Sequence, residues 1–394
     1  MKADTYPVIT VKNDRLASIK RRHPWIFSKG TLEKEPVEDG DVVTIKGSDG
    51  SVLATGHYHD SSIAIRILSF RDCLIDQAFW QDQISKCKDS RTLLNLPNAE
   101  TNTYRLVNGE GDHLSGLIID IYANLAVIQC HTIGMFRAVG SIAKALTTLL
   151  GEDLMIYNKS KSTLPPNHGG QIEDGFIKGN CTRITILEHG HKFYIDPING
   201  QKTGFFIDQR ENRKLLGSFA EGRNILNLYS YTGGFSIYAL NQGANYVCSV
   251  DTSAPALEFL EEILILNNHH ERHDGLIGDV KKVLPSIKDE YYDIIIVDPP
   301  AFAKSKFKSN NAVQAYKRIN TLAIAKVRSG GLIFTFSCSQ VIDQQLFANT
   351  ITAAAIEAQR EVRILHFLSQ APDHPVNIFH PEGKYLKGLV LEVK

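Results

Sequence analysis

Two apolar stretches in the last third of the chain each run directly into residues that can do chemistry. The run at 294–297 is followed by Asp298-Pro299-Pro300, and the run at 332–336 is followed by Ser337-Cys338-Ser339. Short β-branched runs that end at a polar break are typical of buried strands in a parallel sheet. Because chemistry collects at the carboxyl ends of such strands, we expect a carboxylate and a thiol at two strand ends of one sheet.

The segment that joins these two strands is basic. It contains no acidic residue from 299 to 342, and an electropositive loop over a thiol and a carboxylate indicates a site for a polyanion. The seven basic residues of this segment are Lys304, Lys306, Lys308, Lys317, Arg318, Lys326 and Arg328.

The totals are those of an ordinary globular protein. A length of 394 residues predicts two or three domains, and 43% hydrophobic with 22% charged residues is typical of a soluble chain. The formal net charge is 0, so binding to nucleic acid has to be argued from local charge. The chain has no apolar signal core at its start and no run near the roughly 18 apolar residues of a membrane span. We therefore expect a cytoplasmic protein.

The cysteines do not form a metal-binding pattern. None of the six lies in a CxxC pair, and no set of cysteines and histidines has the spacing of zinc ligands, so we predict no metal. Apart from Cys338, we expect them to be small buried hydrophobic residues in a reducing compartment. These five are Cys73, Cys87, Cys130, Cys181 and Cys248.

Residues 1–75 predict a small β-rich module. Strands are expected at 8–11, 42–45 and 63–68, with Asp49-Gly50 as a hairpin turn. The stretch at 20–27 mixes cations with aromatic rings, a combination that suits RNA because cations meet phosphates and rings stack on unpaired bases. The alternative is a solvated basic turn followed by core aromatic residues. The candidate RNA contacts are Arg21, Arg22 and Trp25.

The rest of the chain predicts a central segment and a larger α/β domain. Residues 76–190 indicate an α+β arrangement, with helices at 78–94 and 135–150 and hairpins around Ala123-Asn124 and His189-Gly190. Residues 191–394 alternate strand and helix, which predicts a doubly wound, mostly parallel sheet. Its strands are expected at 224–228, 246–250, 274–277, 293–297, 331–336, 361–366 and 386–393, the last one antiparallel.

Three strand ends of this sheet could hold a nucleotide-like cofactor. The first strand runs into Tyr229-Ser230-Tyr231-Thr232-Gly233-Gly234, where glycines allow close backbone approach to a ligand. The second ends at Asp251, where an acid grips a ribose diol, and the third ends at Asp279, beside the expected adenine edge. The glycine pattern is not GxGxxG, which disfavours a dinucleotide.

Taken together, these motifs resemble the bacterial 23S ribosomal RNA large-subunit methyltransferase I family from end to end. The resemblance implies a PUA domain at 1–75, a central α+β domain at 76–190 and a class I, Rossmann-like methyltransferase domain at 191–394 with a seven-stranded sheet. It also implies S-adenosylmethionine as cofactor and 5-methylcytosine in 23S ribosomal RNA as product. The matching segments are 22–25, 201–210, 229–235, 249–253, 298–300, 334–339, 373–375 and 381–383.

The same resemblance assigns roles to individual residues. Cys338 would be the nucleophile that adds to carbon 6 of cytosine, and Asp298 would contact the base. The alternatives are a buried structural thiol for Cys338, a strand-end cap for Asp298 and a helix-surface charge for Arg210. Lys304 would contact RNA. It is the cation close to position 301, where the family pattern suggests a lysine and this chain has Ala301. The implied cofactor contacts are Gln209, Arg210, Asn227, Tyr229, Tyr231, Thr232, Gly233, Gly234, Asp251, Asp279 and Asp298.

Two other functions stay open from the sequence. Asp-Pro-Pro followed by Phe302 also resembles the pocket of amino-directed methyltransferases, which need no thiol. A non-catalytic RNA-binding or assembly factor could have kept the fold, although the intact Cys338, Asp298, Asp251 and Asp279 argue against it. The target cytosine, the choice between naked RNA and assembled subunit, and dimerisation are not decided by the sequence.

Overall fold

The structure is a computed structural model, and it describes residues 6–165, 172–303 and 309–394. Its contacts divide the chain into two compact units. Unit 1 comprises Met1–Leu187, Tyr194–Ile207 and Pro372–Gly383, and unit 2 comprises Glu188–Phe193, Asp208–Ala371 and Lys384–Lys394. Lys304, Lys306 and Lys308 of the predicted basic loop lie outside the described residues.

The first sheet of unit 1 is six-stranded, in the order β2-β6-β5-β4-β1-β3. It encloses a small apolar core that includes Ile9, Val43 and Ile65. The three predicted strands are present as β1, β4 and β6, whereas β2, β3 and β5 were not predicted. The turn at Asp49-Gly50 is also present, and Gly50 has the positive φ, +79°, that such turns need. Helix α1, Asn13–Lys20, was not predicted, and it ends at the first residue of the stretch at 20–27. The strands are β1 Val8–Val11, β2 Trp25–Phe27, β3 Thr31–Lys34, β4 Val42–Lys46, β5 Val52–Tyr58 and β6 Ile63–Ser69.

The second sheet of unit 1 is five-stranded, in the order β11-β10-β9-β8-β7. Helices α2, Gln77–Leu93, and α4, Val139–Leu150, contribute to its apolar core. The helix expected at 135–150 is divided into two helices. The short helix α3, Ile133–Arg137, ends just before Ala138, and α4 begins just after it. The strands are β7 Thr103–Asn108, β8 Leu117–Tyr122, β9 Leu125–Cys130, β10 Met155–Asn158 and β11 Gly175–Lys178. A separate hairpin follows, with β12 Ile184–Glu188 paired to β13 His191–Ile195.

Unit 2 is built on a seven-stranded sheet in the order β16-β15-β14-β17-β18-β20-β19. The five adjacent strands from β16 to β18 in this order are parallel to one another. Strand β20 is antiparallel to both β18 and β19, as the sequence predicts. Strand β17 is buried along its whole length, as expected for a continuous apolar run. The strands are β14 Asn224–Leu228, β15 Tyr246–Asp251, β16 His273–Ile277, β17 Ile294–Val297, β18 Gly331–Ser337, β19 Val362–Leu368 and β20 Lys387–Val393.

The helices of unit 2 connect these strands in the predicted alternation. The order of the strands in the sheet reverses at β14, which has β15 on one side and β17 on the other. The carboxyl ends on both sides of such a point form a crevice, which is where ligands bind in open α/β sheets. The helices are α5 Arg210–Gly217, α6 Gly234–Asn241, α7 Ala254–Leu266, α8 Val280–Ser286, α9 Ser309–Lys326 and α10 Gln344–Glu357.

Across the described ranges, no helix combines the length and the apolar character that crossing a membrane requires.

Candidate active site

The loop between β14 and α6 is tightly wound. Tyr229, Tyr231 and Gly233 all have left-handed backbone conformations, with φ of +59°, +48° and +72°. The Gly233 N–H donates to Ser230 O at 2.8 Å, and α6 begins at the next residue. A Cβ at position 233 would lie 2.2 Å from Leu260 Cδ1, so the loop requires glycine there. The loop therefore leads directly into a helix N-terminus, where backbone N–H groups are available to a ligand.

Asp251 fixes this loop from the end of the neighbouring strand. One carboxylate oxygen accepts the Tyr231 N–H at 2.8 Å, and the other accepts the Ser253 N–H at 2.9 Å. The side chain is only half-buried, so it also has accessible surface at the crevice. The structure thus places Asp251 where the sequence predicted an acid at the second strand end.

Asp279 and Asn227 have partners within the protein that the sequence did not suggest. Asp279 is exposed and caps α8, because its carboxylate accepts the Lys281 N–H at 3.0 Å. Asn227 is buried and donates to Ser236 Oγ at 2.9 Å, which in turn lies 2.7 Å from Ser249 Oγ. That chain of bonds ties β14, α6 and β15 together. For both residues, contact with the cofactor stays a prediction.

Two hydroxyl groups in the loop indicate that it fits a polar ligand. The Tyr229 and Ser230 hydroxyl oxygens are buried, and neither has a hydrogen-bond partner in the described part of the chain. Burial raises the pKa of Tyr229 to about 12, with Asp279 and Tyr316 adding to the effect, so the hydroxyl stays a neutral donor. A buried polar group without a partner costs about 1–3 kcal/mol, which a ligand could offset by hydrogen bonding. Tyr229, Ser230 and the N-terminus of α6 therefore suit the polar part of a cofactor.

Gln209 and Asp298 are brought together, as the sequence predicted for one site. Gln209 Nε2 donates to Asp298 Oδ2 at 3.0 Å, and Gln209 Oε1 accepts from Asn212 Nδ2 at 2.6 Å. Gln209 is buried and Asp298 is half-buried, so the amide orients a carboxylate that remains accessible. The adjacent Arg210 is also buried and donates to Glu211 Oε1 at 3.0 Å, so its alternative interpretation as a helix-surface charge was wrong.

Cys338 follows β18, and Asp298 follows the neighbouring strand β17. Strands β17 and β18 are parallel neighbours, with Val297 opposite Thr335, so both strands end at the same edge of the sheet. Cys338 is half-buried between two buried serines. Ser339 Oγ donates to Ala303 O at 3.1 Å and thereby holds the loop after Asp298 against the loop that carries Cys338.

The sequence analysis missed two buried polar residues at this edge. Tyr316, on α9, is buried close to Ser337, Ser339 and Cys338. Lys387 is the first residue of β20, and its Nζ donates to Ser339 O at 2.6 Å. The periodic pattern of α9 was visible, but nothing in it distinguished Tyr316 from other core positions. Lys387 stood at the polar start of an apolar strand, where a lysine is usually solvated.

The predicted RNA-binding residues of unit 1 divide into two groups. Arg21 and Arg22 are exposed, as contacts with phosphate require. Trp25 is half-buried, and its indole N–H donates to Glu110 Oε1 at 2.9 Å. The Arg66 guanidinium lies 5.2 Å from the Trp25 ring. These contacts favour a packing role for Trp25, and the exposed ring in this strand is Phe27, which the sequence analysis did not name as a contact.

One group of side chains outside the crevice has the composition of a metal site. His23, His380 and Glu382, all in unit 1, each offer one ligand atom, and these atoms lie within 4.8 Å of one another. Glu382 is 61% exposed, and the ring of His380 lies 4.3 Å from that of Trp25 in an edge-on arrangement. Aromatic packing therefore accounts for the burial of His380.

Comparison with known proteins agrees with the fold described above. The family model for S-adenosylmethionine-dependent methyltransferases matches residues 176–383, and a model for a PUA-like domain matches residues 9–70. A solved structure from Streptococcus mutans, described as a SAM-dependent methyltransferase, aligns with a TM-score of 0.82 at 22% identity, covering 98% of this chain and 99% of that one. Another methyltransferase structure, complexed with SAH, aligns with a TM-score of 0.83 at 22% identity and the same coverage.

The chain is a SAM-dependent methyltransferase with a PUA-like domain near its N-terminus. A protein from Aeromonas salmonicida, named ribosomal RNA large subunit methyltransferase I, is 40% identical over 389 residues, which is 96% of this chain and 98% of that protein. The chain belongs to the ribosomal RNA large subunit methyltransferase I family.

Proposed function

We propose that this protein methylates carbon 5 of a cytosine in 23S ribosomal RNA, with Cys338 as a covalent nucleophile. The observation that carries the proposal is the placement of a half-buried thiol and a half-buried carboxylate at the ends of adjacent parallel strands. Membership of a family whose relatives are named for large-subunit ribosomal RNA supports the substrate class. The resemblance to 5-methylcytosine enzymes, which the motif around Cys338 carries, supports the product.

The chemistry requires a nucleophile because carbon 5 of cytosine does not attack a methyl donor unaided. Addition of the Cys338 thiolate to carbon 6 forms an S–C bond and makes carbon 5 nucleophilic. When bound, S-adenosylmethionine supplies the methyl group that carbon 5 takes. Water then takes the proton from carbon 5, the C–H electron pair forms the double bond between carbons 5 and 6, and the S–C bond breaks to release the thiolate.

Asp298 would orient the base and stabilise the charge that develops on its ring when carbon 6 is attacked. Its Oδ2 already accepts a hydrogen bond from Gln209, which fixes the carboxylate in one orientation. Two prolines follow Asp298 and stiffen the turn that aims it. Asp298 is therefore suited to contact ring nitrogen 3 or the amino group of cytosine.

The cofactor would lie along the strand ends on the other side of β14. Asp251 would accept hydrogen bonds from the ribose hydroxyls, and Asp279 would meet the adenine amino group. The loop from Tyr229 to Gly234 would hold the methionine part. The Tyr229 and Ser230 hydroxyl groups, which have no hydrogen-bond partner among the described residues, would supply hydrogen bonds. Gln209 and Arg210 would close over it.

RNA would contact the exposed cations of the N-terminal region. We propose Arg21 and Arg22 as phosphate contacts and Phe27 as a stacking surface, because all three are exposed. Trp25 and Lys304 stay as predicted contacts.

We also propose the domain limits 1–75, 76–190 and 191–394. Light scattering of the purified protein would show whether it forms a dimer.

One contact argues against methylation of an exocyclic amino group. That reading depends on Phe302 as the aromatic residue of the pocket. The Phe302 ring instead packs against Tyr316, with centroids 4.7 Å apart at 60°, and joins the core of unit 2. Its ring is thus used for packing rather than for stacking on a base.

Methyl transfer from labelled S-adenosylmethionine to unmodified large-subunit RNA and to assembled subunits, followed by nucleoside analysis, tests the proposal. We expect 5-methylcytidine, and we expect Cys338→Ala to reduce its rate by at least about 10³-fold, as loss of a nucleophile does. Cys248→Ala is the matched control, because Cys248 is a buried thiol in β15 of the same sheet.

Each alternative has its own outcome in this experiment. A different methylated nucleoside that survives in Cys338→Ala would support the amino-directed reading. No transfer to RNA or to subunits would support a non-catalytic factor. Full 5-methylcytidine formation by Cys338→Ala would disprove the thiol mechanism.

A further inference from the structure

Lys387 is a buried cation that the proposed mechanism does not yet use. Its exposed fraction is 3%, although lysine is almost never buried without a reason. Two of its three N–H donors are accounted for, because Nζ donates to Ser339 O at 2.6 Å and to Tyr385 O at 2.7 Å. Both acceptors are neutral carbonyl groups, so these bonds do not balance its charge.

The position of Lys387 is fixed relative to Cys338 by the sheet. Strand β20 is antiparallel to β18, and Lys387 is the partner of Ser337 in that register. Its ammonium group also binds the carbonyl of Ser339. Lys387 is therefore held to the residue before Cys338 by strand pairing and to the residue after it by a hydrogen bond.

Among the described residues, the other titratable groups near this pair cannot supply the same buried positive charge. Tyr316 is buried, and desolvation raises the pKa of its hydroxyl, so it stays neutral. Asp343 is exposed and accepts the Leu346 N–H at 2.8 Å as the N-cap of α10. Lys384 is exposed and donates to Gln344 Oε1 at 3.0 Å.

Lys387 remains mainly protonated at neutral pH. Burial lowers its pKa to about 8, and Lys384 adds to the lowering, while Asp343, and Cys338 when it is ionised, act in the opposite direction. A neighbouring anion favours the charged form of a buried ammonium group. By the same attraction, the ammonium group favours the charged form of its neighbour.

We propose that Lys387 is a positioning residue whose ammonium group stabilises Cys338 as the thiolate. The Cys338 proton passes to water, and the resulting sulfur anion is held beside the cation, ready to add to carbon 6 of the base. When the S–C bond later breaks, the thiolate is released next to the same cation. The inference rests on the proposed function, because it assigns Lys387 to the nucleophile named there.

The rate at which iodoacetamide alkylates Cys338 tests this, measured from pH 5 to 9.5 by mass spectrometry of the Cys338 peptide. Lys387→Met removes the charge and keeps much of the side-chain length. We expect it to slow alkylation at pH 7 by about 10-fold and to move the midpoint of the curve to higher pH. Lys387→Arg should recover part of the rate, because it restores a cation.

Lys394→Met is the matched control, since it removes an exposed lysine that follows the opposite end of β20 and should leave the curve unchanged. A curve for Lys387→Met that coincides with that of the unmodified protein would overturn the inference. If Lys387→Met does not fold, as judged by thermal unfolding, the unmodified protein still provides a test. Cys338 must then reach its alkylation midpoint at a lower pH than the half-buried Cys73 of the same molecule, and an equal or higher midpoint would overturn the inference.

This experiment measures no methyl transfer, so its failure is distinct from failure of the proposed function. Full carbon-5 activity in Cys338→Ala would remove the role of the thiol and would leave the alkylation curves unaffected. Unchanged curves in Lys387→Met would remove only the role of Lys387.

Discussion

Asp251 combines two tasks that a single carboxylate can perform at the end of a strand. It accepts two backbone N–H groups, from Tyr231 and Ser253, and it keeps accessible surface at the crevice. The first task holds the loop after β14 in place, and the second offers an acceptor to the ribose hydroxyls of the cofactor. Both tasks require that Oδ1 and Oδ2 are each able to accept hydrogen bonds.

Replacing that carboxylate tests both tasks at once. In Asp251→Asn, an amide N–H would face either a backbone N–H or a ribose hydroxyl, and a hydrogen bond to a charged acceptor would be lost. Since such a bond contributes about 1.5–3 kcal/mol, we expect S-adenosylmethionine to bind at least about 10-fold more weakly by isothermal titration calorimetry.

Asp274→Asn is the matched control, because Asp274 is an exposed acid on the neighbouring strand β16. It should leave the affinity for S-adenosylmethionine unchanged. Wild-type affinity in Asp251→Asn would contradict the assignment of this residue to the cofactor.

At the scale of residues, the sequence predicted positions better than partners. Cys338, Asp298 and Asp251 could be found because each lies within two residues of the end of an apolar run, and strand ends gather at one edge of the sheet. The bond from Gln209 to Asp298 and the burial of Lys387 beside Cys338 join residues that are 89 and 49 positions apart. Strand pairing and helix packing create such contacts, and no local pattern announces them.

Among the elements, the loop joining β14 to α6 depends on a glycine for two separate reasons. Gly233 has a φ of +72°, and a Cβ there would also lie 2.2 Å from Leu260 Cδ1. Left-handed backbone costs a non-glycine residue about 1–2 kcal/mol, and overpacking costs about 1–3 kcal/mol more.

We therefore expect Gly233→Ala to lower the free energy of unfolding by about 2–5 kcal/mol, as measured by urea denaturation, and to weaken cofactor binding. Gly243→Ala separates the two causes, because Gly243 has a φ of +87° but its nearest neighbour would lie 3.5 Å away. It should cost only about 1–2 kcal/mol. Equal losses in the two variants would show that contact with Leu260 is unimportant.

Prediction of the elements succeeded where the pattern was long and regular. The alternation of strands and helices in 191–394 predicted the doubly wound, mostly parallel sheet, and buried parallel strands are recognisable because they are nearly continuous apolar runs. Shorter elements were missed. Helix α1 has few buried residues to create a periodic signal, and the break at Ala138 between α3 and α4 is marked by neither proline nor glycine.

At the scale of the whole molecule, the chain crosses between its units more often than the sequence suggested. The segment Pro372–Gly383 comes after most of unit 2 but belongs to unit 1. There, Asp373 accepts the Arg105 N–H at 2.9 Å, and Asn108 Nδ2 donates to Pro375 O at 3.0 Å. The sequence predicted no element between the strands at 361–366 and 386–393, because a segment without periodicity carries no information about what it contacts.

Several buried histidines predict that the protein loses stability in mild acid. Burial lowers the pKa of His57 to about 3, with the charges of His59 and Arg137 adding to the effect. The pKa values of His191 and His273 are lowered to about 4, again mainly by burial. These groups are neutral in the folded state but take up a proton on unfolding, so the stability they contribute is complete above pH 6.5 and is lost as the pH falls towards 3.

We expect the free energy of unfolding to fall below pH 6.5 by up to about 1.4 kcal/mol per pH unit for His57 alone, measured by urea denaturation between pH 7.5 and 5. His57→Gln removes one of these protons and should flatten the dependence. A free energy of unfolding that is constant over this range would contradict the buried neutral state of these rings.

The most direct test of the central claim is to trap the bond between Cys338 and the base. Large-subunit RNA that carries 5-fluorocytidine cannot lose a proton from carbon 5, so a nucleophile that has added to carbon 6 stays attached after methyl transfer. We predict a denaturation-resistant complex of protein and RNA whose cross-linked peptide contains Cys338, and none with Cys338→Ala. Efficient methylation of cytosine by the same preparation without any such complex, or a complex that persists in Cys338→Ala, would contradict the account.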